Sequence, residues 1–125
     1  MQLHLRRTLL ATLTILAATM AAPTGFASPA RACPDDRPCF TRIEIDNEGL
    51  YFEWDNFNGA RYSHYNVRWS RPGRAETQKE TRTEYFTISH PLRNTVYTLK
   101  VQGCRRPVVG ASTCSPWEER QWRTP

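Results

Sequence analysis

Hydrophobic and polar residues alternate along much of the chain after residue 41, and this repeat of two residues predicts β-strands. The alternation is clearest in residues 50–55, 64–69 and 97–102. It places every second side chain on the same face of a sheet, so that an apolar face is buried. No segment there shows the 3.6-residue repeat of an amphipathic helix. Strands are predicted at 43–45, 50–55, 64–69, 75–82, 85–89, 97–102 and within 116–123.

The segments between the predicted strands are rich in turn-forming residues. Asn, Gly and Pro mark turns at 47–49, 58–59 and 71–73, because these residues adopt turn conformations at little cost. The charges of 75–82 suit an edge strand, where they hinder pairing with other chains. Seven short strands separated by turns predict an all-β fold, a seven-stranded immunoglobulin-like β-sandwich over residues 41–125.

The first 32 residues have the organisation of a secretory signal peptide. Arg6 and Arg7 precede an uncharged, mostly apolar run at 8–22, and small residues follow up to an Ala-x-Ala site at 30–32. This order of charge, apolar run and small residues is typical of export signals. The run is shorter than the roughly 20 residues that a membrane-spanning helix needs. We therefore expect a cleaved signal, a secreted protein and no membrane span.

Two further interpretations of the N-terminus remain open. Arg6 and Arg7 are compatible with the twin-arginine export route as well as with the general one. Cleavage after Ala32 would make Cys33 the first residue, and a lipid anchor at Cys33 is then the alternative to a freely secreted protein.

Most of the net positive charge belongs to the predicted signal. The whole chain carries a formal net charge of +5, with 17 basic and 12 acidic residues. Residues 1–32 contain three arginines and no acidic residue, so the remainder has 14 basic and 12 acidic side chains, a net charge of +2. So small an excess does not indicate a nucleic-acid partner.

Four cysteines follow the signal: Cys33, Cys39, Cys104 and Cys114. An even number in an exported chain of this size predicts two disulfides, and four cysteines allow three pairings. We favour Cys33–Cys39 and Cys104–Cys114, because the members of each pair are close in sequence. The first bridge would close an N-terminal segment at 33–40. Without a Cys-x-x-Cys pair, no zinc or other metal site and no cofactor is predicted.

Three of the predicted strands resemble those of fibronectin type III domains. Residues 50–54 are similar to the family's second strand (B), which ends in a core tryptophan, and 65–69 to its third (C). Residues 95–101 resemble its sixth strand (F), with Tyr97 in the place of the tyrosine corner, and Ser115-Pro116 is also similar. The disulfides depart from the family, whose members generally lack them. The resemblance implies a fibronectin type III sandwich with Trp54, Trp69 and Tyr97 in its core.

The resemblance also implies a binding or adhesion module with an extracellular protein partner. In this topology the loops after the second and sixth strands lie at one end, and loops are where such folds bind. Arginine and aromatic residues are enriched at interaction hot spots. The candidate binding residues are Phe57, Arg61, Arg105, Arg106, Val108 and Val109.

Other surfaces and functions are alternatives. One is the outer face of the C–F–G sheet, where Arg68 and Lys100 could stack on Trp117 or Trp122. Surface tryptophans also suggest a carbohydrate-binding domain with a glycan ligand, and the stapled hairpin suggests a secreted inhibitor or toxin-like ligand. No catalytic motif is present, and His64 and His90 are expected to be solvated, so no enzyme activity is predicted. The residues of the alternative face are His64, Asn66, Arg68, Thr98, Lys100 and Gln102.

Overall fold

Eight β-strands and no helix make up the part of the chain that the computed structural model describes, residues 33–56 and 59–125. The predicted signal peptide and Phe57 lie outside these residues. The all-β prediction is confirmed. The strands are β1 (Cys39–Ile45), β2 (Leu50–Asp55), β3 (His64–Ser70), β4 (Thr77–Thr81), β5 (Tyr85–Ile88), β6 (Val96–Arg105), β7 (Thr113–Cys114) and β8 (Glu118–Arg123).

The strands form two antiparallel sheets. One has three strands in the order β1-β2-β5. The other has five: β4 pairs with β3, β3 pairs with β6, and both β7 and β8 pair with the far side of β6. Side chains from both sheets contribute to one hydrophobic core. The architecture is therefore a β-sandwich.

The core follows from the alternation seen in the sequence. In β2, Leu50, Phe52 and Trp54 are buried, and in β6 Tyr97 and Leu99 occupy the same kind of position in the opposite sheet. A buried aromatic side chain removes roughly 150–250 Å² from water. Aromatic rings therefore supply much of the stabilisation in so small a core.

The three predicted core aromatics pack as expected, to different extents. Trp54 is buried, with its ring centroid 5.3 Å from that of Tyr65. Trp69 is only partly buried and packs against the core through Phe86, at 5.3 Å. Tyr97 is buried, and its hydroxyl accepts a hydrogen bond from the backbone N–H of Leu92 at 2.9 Å. The tyrosine ring is thereby fixed to the connection that precedes its own strand.

The strand count and two boundaries differ from the sequence prediction. The last predicted strand, within 116–123, is observed as β8, and an additional two-residue strand, β7, precedes it, which gives eight strands instead of seven. Pro116 has no N–H to donate to a ladder, and the chain leaves the regular pairing there after Ser115 N–H bonds to the Gly103 carbonyl at 2.8 Å. At the other end of the chain, β1 begins at Cys39, inside the segment predicted to precede the sheet, with a bulge between Phe40 and Arg42.

Candidate binding end

The Cys104–Cys114 disulfide closes the hairpin between β6 and β7. The two cysteines face each other in the strand ladder, with Cα atoms 4.1 Å apart. Residues 106–112, which we call the tip, span the space between these two strands. The second bridge joins Cys33 to Cys39, so both favoured pairings are present. A covalent link at its base limits the conformations that the tip can adopt.

The tip presents two valines to solvent. Val108 is 104% exposed and Val109 is 87% exposed, and they are the most exposed large hydrophobic residues described. Arg105, the last residue of β6, and Arg106, the first residue of the tip, are also exposed. Aliphatic side chains this open contribute nothing to the core. They are available for contact with another molecule.

Hydrogen bonds connect the tip to the loop between β2 and β3. The Arg105 guanidinium donates from Nε to the Arg61 carbonyl at 3.0 Å. The Arg106 N–H donates to Ser63 Oγ at 3.0 Å, and the Ser63 N–H donates to the Cys104 carbonyl at 2.8 Å. The sequence-predicted residues Arg61, Arg105 and Arg106 are therefore brought together at one end of the sandwich. Phe57 belongs to the same loop but is not described.

A glycine in β6 allows the same loop to approach the strand closely. A Cβ atom on Gly103 would lie 2.3 Å from a ring carbon of Tyr62. The Tyr62 ring also packs edge-on against Tyr65, with centroids 5.8 Å apart. Sequence reasoning missed Tyr62, Ser63 and Gly103. The one feature of the sequence that could have indicated this contact is Gly103 itself, because a glycine within an alternating strand often marks a close approach of the backbone to another group.

His64 is buried, and the prediction that it is solvated was wrong. The two-residue repeat of β3 assigns its side chain to the outer face of the sheet. Cys104 lies opposite it in β6, however, and Ser63 Oγ is 2.9 Å from its Nδ1. Glu80 of β4 lies 4.0 Å from Nε2. Neighbours from adjacent strands thus cover a position that alternation alone assigns to the surface. His90 is exposed, as expected.

The outer face of the β3–β6–β8 sheet satisfies its own polar groups. Asn66 donates to Gln102 at 3.0 Å, and Lys100 forms an ion pair with Glu76 at 2.8 Å. The guanidinium of Arg68 lies 4.4 Å from the centre of the Trp117 ring, in a cation–π contact. Of the stacking contacts expected for Arg68 and Lys100, this one alone is observed among the described residues. These side chains are engaged with one another and do not form an open site.

The remaining tryptophan, Trp122, packs against the core. With Trp117 covered by Arg68, the two residues do not form an open pair of rings for sugar stacking. The outer face of the three-stranded sheet carries a different aromatic pair, because Tyr51 and Tyr85 stack with centroids 5.9 Å apart. The Tyr51 hydroxyl donates to Glu53 at 2.6 Å, and this bond raises the pKa of Tyr51 to about 12.

Glu76 links the edge strand to the sheet face. Its carboxylate accepts from Lys100 and lies 3.3 Å from the Arg68 guanidinium. The hydrogen bond from Lys100, with the positive charges of Lys100 and Arg68, holds the pKa of Glu76 below its usual value. The charged form of Glu76 is therefore the one that the folded protein stabilises.

Over residues 33–56 and 59–125, no group of three or more His, Cys, Asp or Glu side chains is arranged to hold a metal ion. The same residues contain no helix with the length and apolar character needed to cross a membrane. Neither a protein-family model nor a curated protein matches this sequence.

Proposed function

We propose that this chain is a secreted binding module of fibronectin type III type that recognises another extracellular protein through the tip and the β2–β3 loop. The observation that carries this proposal is the pair of fully exposed valines on a disulfide-closed tip. Neighbouring exposed aliphatic side chains form apolar surface of the kind that contacts a partner. The flanking Arg105 and Arg106 add the residue type most often found at interface hot spots.

The strand arrangement supports the fibronectin type III assignment. A three-stranded sheet ordered 1-2-5 faces a sheet in which β4, β3, β6 and β8 are neighbours. The bond from the Leu92 N–H to the Tyr97 hydroxyl has the form of a tyrosine corner, in which a tyrosine near the start of a strand binds backbone a few residues upstream. Both features agree with the resemblance of residues 50–54, 65–69 and 95–101 to the family's strands.

The two disulfides support an extracellular location. Disulfides persist in oxidising compartments and are rare in the cytosol, where thiols are kept reduced. All four cysteines of the chain are paired in the structure. This agrees with the export signal expected in residues 1–32.

The restraint on the tip favours binding. Ordering a flexible side chain at an interface costs about 0.5–1.5 kcal/mol. The Cys104–Cys114 bridge and the bonds to Arg61 and Ser63 already restrict this segment before any partner arrives. Much of the ordering cost is therefore met during folding, which leaves more of the contact energy for association.

The proposal is tested by exchanging the two valines for serine. The purified, oxidised protein is immobilised and exposed to extracellular proteins of its source, and retained proteins are quantified by mass spectrometry. Val108→Ser with Val109→Ser should reduce retention of a specific partner at least tenfold and leave the melting temperature within about 2 °C, because both side chains are exposed. The control, Ile45→Ser, removes an exposed aliphatic residue at the other end of the sandwich and should retain the partner.

Two results would contradict the proposal in different ways. Early melting of the double variant would place the valines in the structural core. Normal binding by the double variant, with loss of binding in Arg68→Ala or Trp117→Ala, would move the site to the sheet face.

A further inference from the structure

A cavity of about 460 Å³ lies at the opposite end of β3 and β6 from the tip. Its wall includes Trp69 at the end of β3, the turn at 71–74 and His90 in the connection between β5 and β6. Pockets for small molecules usually measure about 300–1,000 Å³. The cavity therefore has room for a ligand of one or a few rings.

The turn between β3 and β4 places two arginines side by side at this cavity. The Arg74 N–H donates to the Arg71 carbonyl at 3.1 Å, and Gly73 has a φ of 74°. Pro72 and Gly73 occupy the central positions of this four-residue β-turn, for which both residue types are well suited. The ends of such a turn lie within about 7 Å of each other, so both arginine side chains start from neighbouring backbone positions, and both line the cavity.

No carboxylate balances these charges. None of the chain's 12 acidic residues lines the cavity, and none lines the adjoining cavity of about 500 Å³, which shares Arg71 and Arg74 and adds Arg123. Within the part of the chain that the structure describes, neither Arg71 nor Arg74 forms an ion pair. The nearest acid in sequence, Glu76, is bound to Lys100 and Arg68 instead. Two arginines that line one cavity without a carboxylate partner attract an anion, and their planar forks match carboxylate and sulfate oxygens.

The rest of the wall combines hydroxyls with aromatic surface. Ser70, Thr77 and Ser89 contribute short side chains that both donate and accept hydrogen bonds. Trp69, which is only partly buried, is the aromatic residue that can offer ring surface, and the buried Tyr97 lies behind it in the wall. Hydroxyl partners and an aromatic wall suit a sugar ring, which has hydroxyls at its rim and C–H groups on its faces. This combination favours a saccharide over an acidic peptide side chain.

We infer that this cavity binds an acidic saccharide unit, a sugar carrying a carboxylate or sulfate group, with Arg71 and Arg74 holding the anion. Trp69 contacts the sugar ring, and the serine and threonine hydroxyls bind its hydroxyl groups. The site is separate from the tip and uses none of the same residues.

The test is calorimetric titration of the oxidised protein at low salt. Digalacturonate and a sulfated disaccharide serve as acidic probes, and neutral galactobiose is the matched control ligand. At least one acidic probe should bind at least tenfold more tightly than galactobiose. NMR shifts caused by that probe should centre on the Trp69 indole N–H and the Ser89 amide.

Variants of the two arginines locate the anion site. Arg71→Ala with Arg74→Ala should weaken binding of that probe at least tenfold. Arg71→Lys with Arg74→Lys keeps the charge but loses the planar fork, and should give a smaller loss. Lys79→Ala with Arg82→Ala removes the same amount of charge from exposed positions elsewhere and should change binding less than twofold.

Several results would overturn the inference. Equal binding of galactobiose would exclude anion recognition. Equal losses in the arginine pair and in the Lys79 and Arg82 control would show general charge attraction. Tighter binding of triglutamate than of either acidic disaccharide would assign the cavity to acidic peptides, and no binding of either acidic disaccharide would refute the site.

Discussion

The small size of Gly103 determines how closely the β2–β3 loop can approach β6 at the tip end of the sandwich. Its missing side chain lets the Tyr62 ring lie against β6, within 2.3 Å of where a Cβ atom would be. The neighbouring Ser63 is the residue that bonds to the Cys104 carbonyl and to the Arg106 N–H. A change at Gly103 therefore reaches both the β2–β3 loop and the tip.

Gly103→Ala should lower the free energy of unfolding by about 1–3 kcal/mol, the usual cost of overpacking. Tyr62 cannot yield freely because its ring also packs on Tyr65. Urea denaturation of the oxidised protein measures the loss. In a Tyr62→Ala background the same substitution should cost less than about 0.5 kcal/mol, since the obstructing ring is gone. Equal costs in the two backgrounds would show that the ring is not the cause.

Residues whose position follows from alternation could be predicted, and residues placed by their spatial neighbours could not. Trp54 and Tyr97 are buried where the two-residue repeat puts them. His64 obeys the same repeat but is covered by Ser63 and Glu80. Arg71 was noted only as part of a turn and Arg74 was not noted, because the cavity beside them is completed by β5 and the connection that follows it. Contacts between distant segments leave no periodic trace in a sequence.

At the level of elements, β4 is an exposed edge strand held mainly by polar contacts. Four of its five residues are exposed, and among the described strands its one neighbour is β3. Glu76 precedes it directly and forms ion pairs with Arg68 and Lys100. Such charges protect a free edge from pairing with other chains, and here they also tie the edge to the neighbouring strands.

Glu76→Gln should make stability less dependent on pH. Because the folded protein lowers the pKa of Glu76 from 4.5, its charged form contributes stability above that pH, and the contribution is lost as the pH falls through the folded pKa. At pH 7 the wild type should exceed the variant by about 0.2–1 kcal/mol, the range for solvent-accessible ion pairs. Urea denaturation should show this difference at pH 7, and the difference should shrink steadily as the pH falls below 4.5 and through the folded pKa. High salt should also reduce it, and a difference that did not change with either pH or salt would exclude the ion pairs as its source.

The positions of the strands were more predictable than their ends. The strong alternation of 50–55 and 97–102 located β2 and the centre of β6. The separation of the additional strand β7 from β8 depends on Pro116 and on the bonds between Ser115 and Gly103. The early start of β1 depends on Phe40 reaching the core from beyond a bulge. Both features arise from packing between strands and not from the local pattern.

At the scale of the whole molecule, covalent bridges add to a core of modest size. The bridges join residues six and ten positions apart. In the chain-entropy description, closing loops of this length stabilises the fold by about 2–3 kcal/mol each. Domains of this size are stable by only about 5–15 kcal/mol in total. Each bridge is therefore a substantial part of the stability.

The two bridges should differ in their effect on the tip. Replacing Cys104 and Cys114 by serine, or Cys33 and Cys39 by serine, should each lower the free energy of unfolding by about 2–3 kcal/mol. Only the first change should speed amide hydrogen exchange across 106–112, because only that bridge closes the tip. Exchange followed by mass spectrometry separates the two effects. Unchanged exchange at the tip after loss of Cys104–Cys114 would show that the bonds to Arg61 and Ser63 suffice.

The length of β6 determines the distance between the two proposed binding sites. This strand runs for ten residues, from Val96 near the arginine cavity to Arg105 at the tip. At about 3.3 Å per residue, it spans about 33 Å. Ligands at the two ends would then be too far apart to compete, and the sandwich would act as a rigid spacer between them. Occupied at both ends, the protein would be a cross-linker that tethers an extracellular protein to an acidic polysaccharide at a fixed distance.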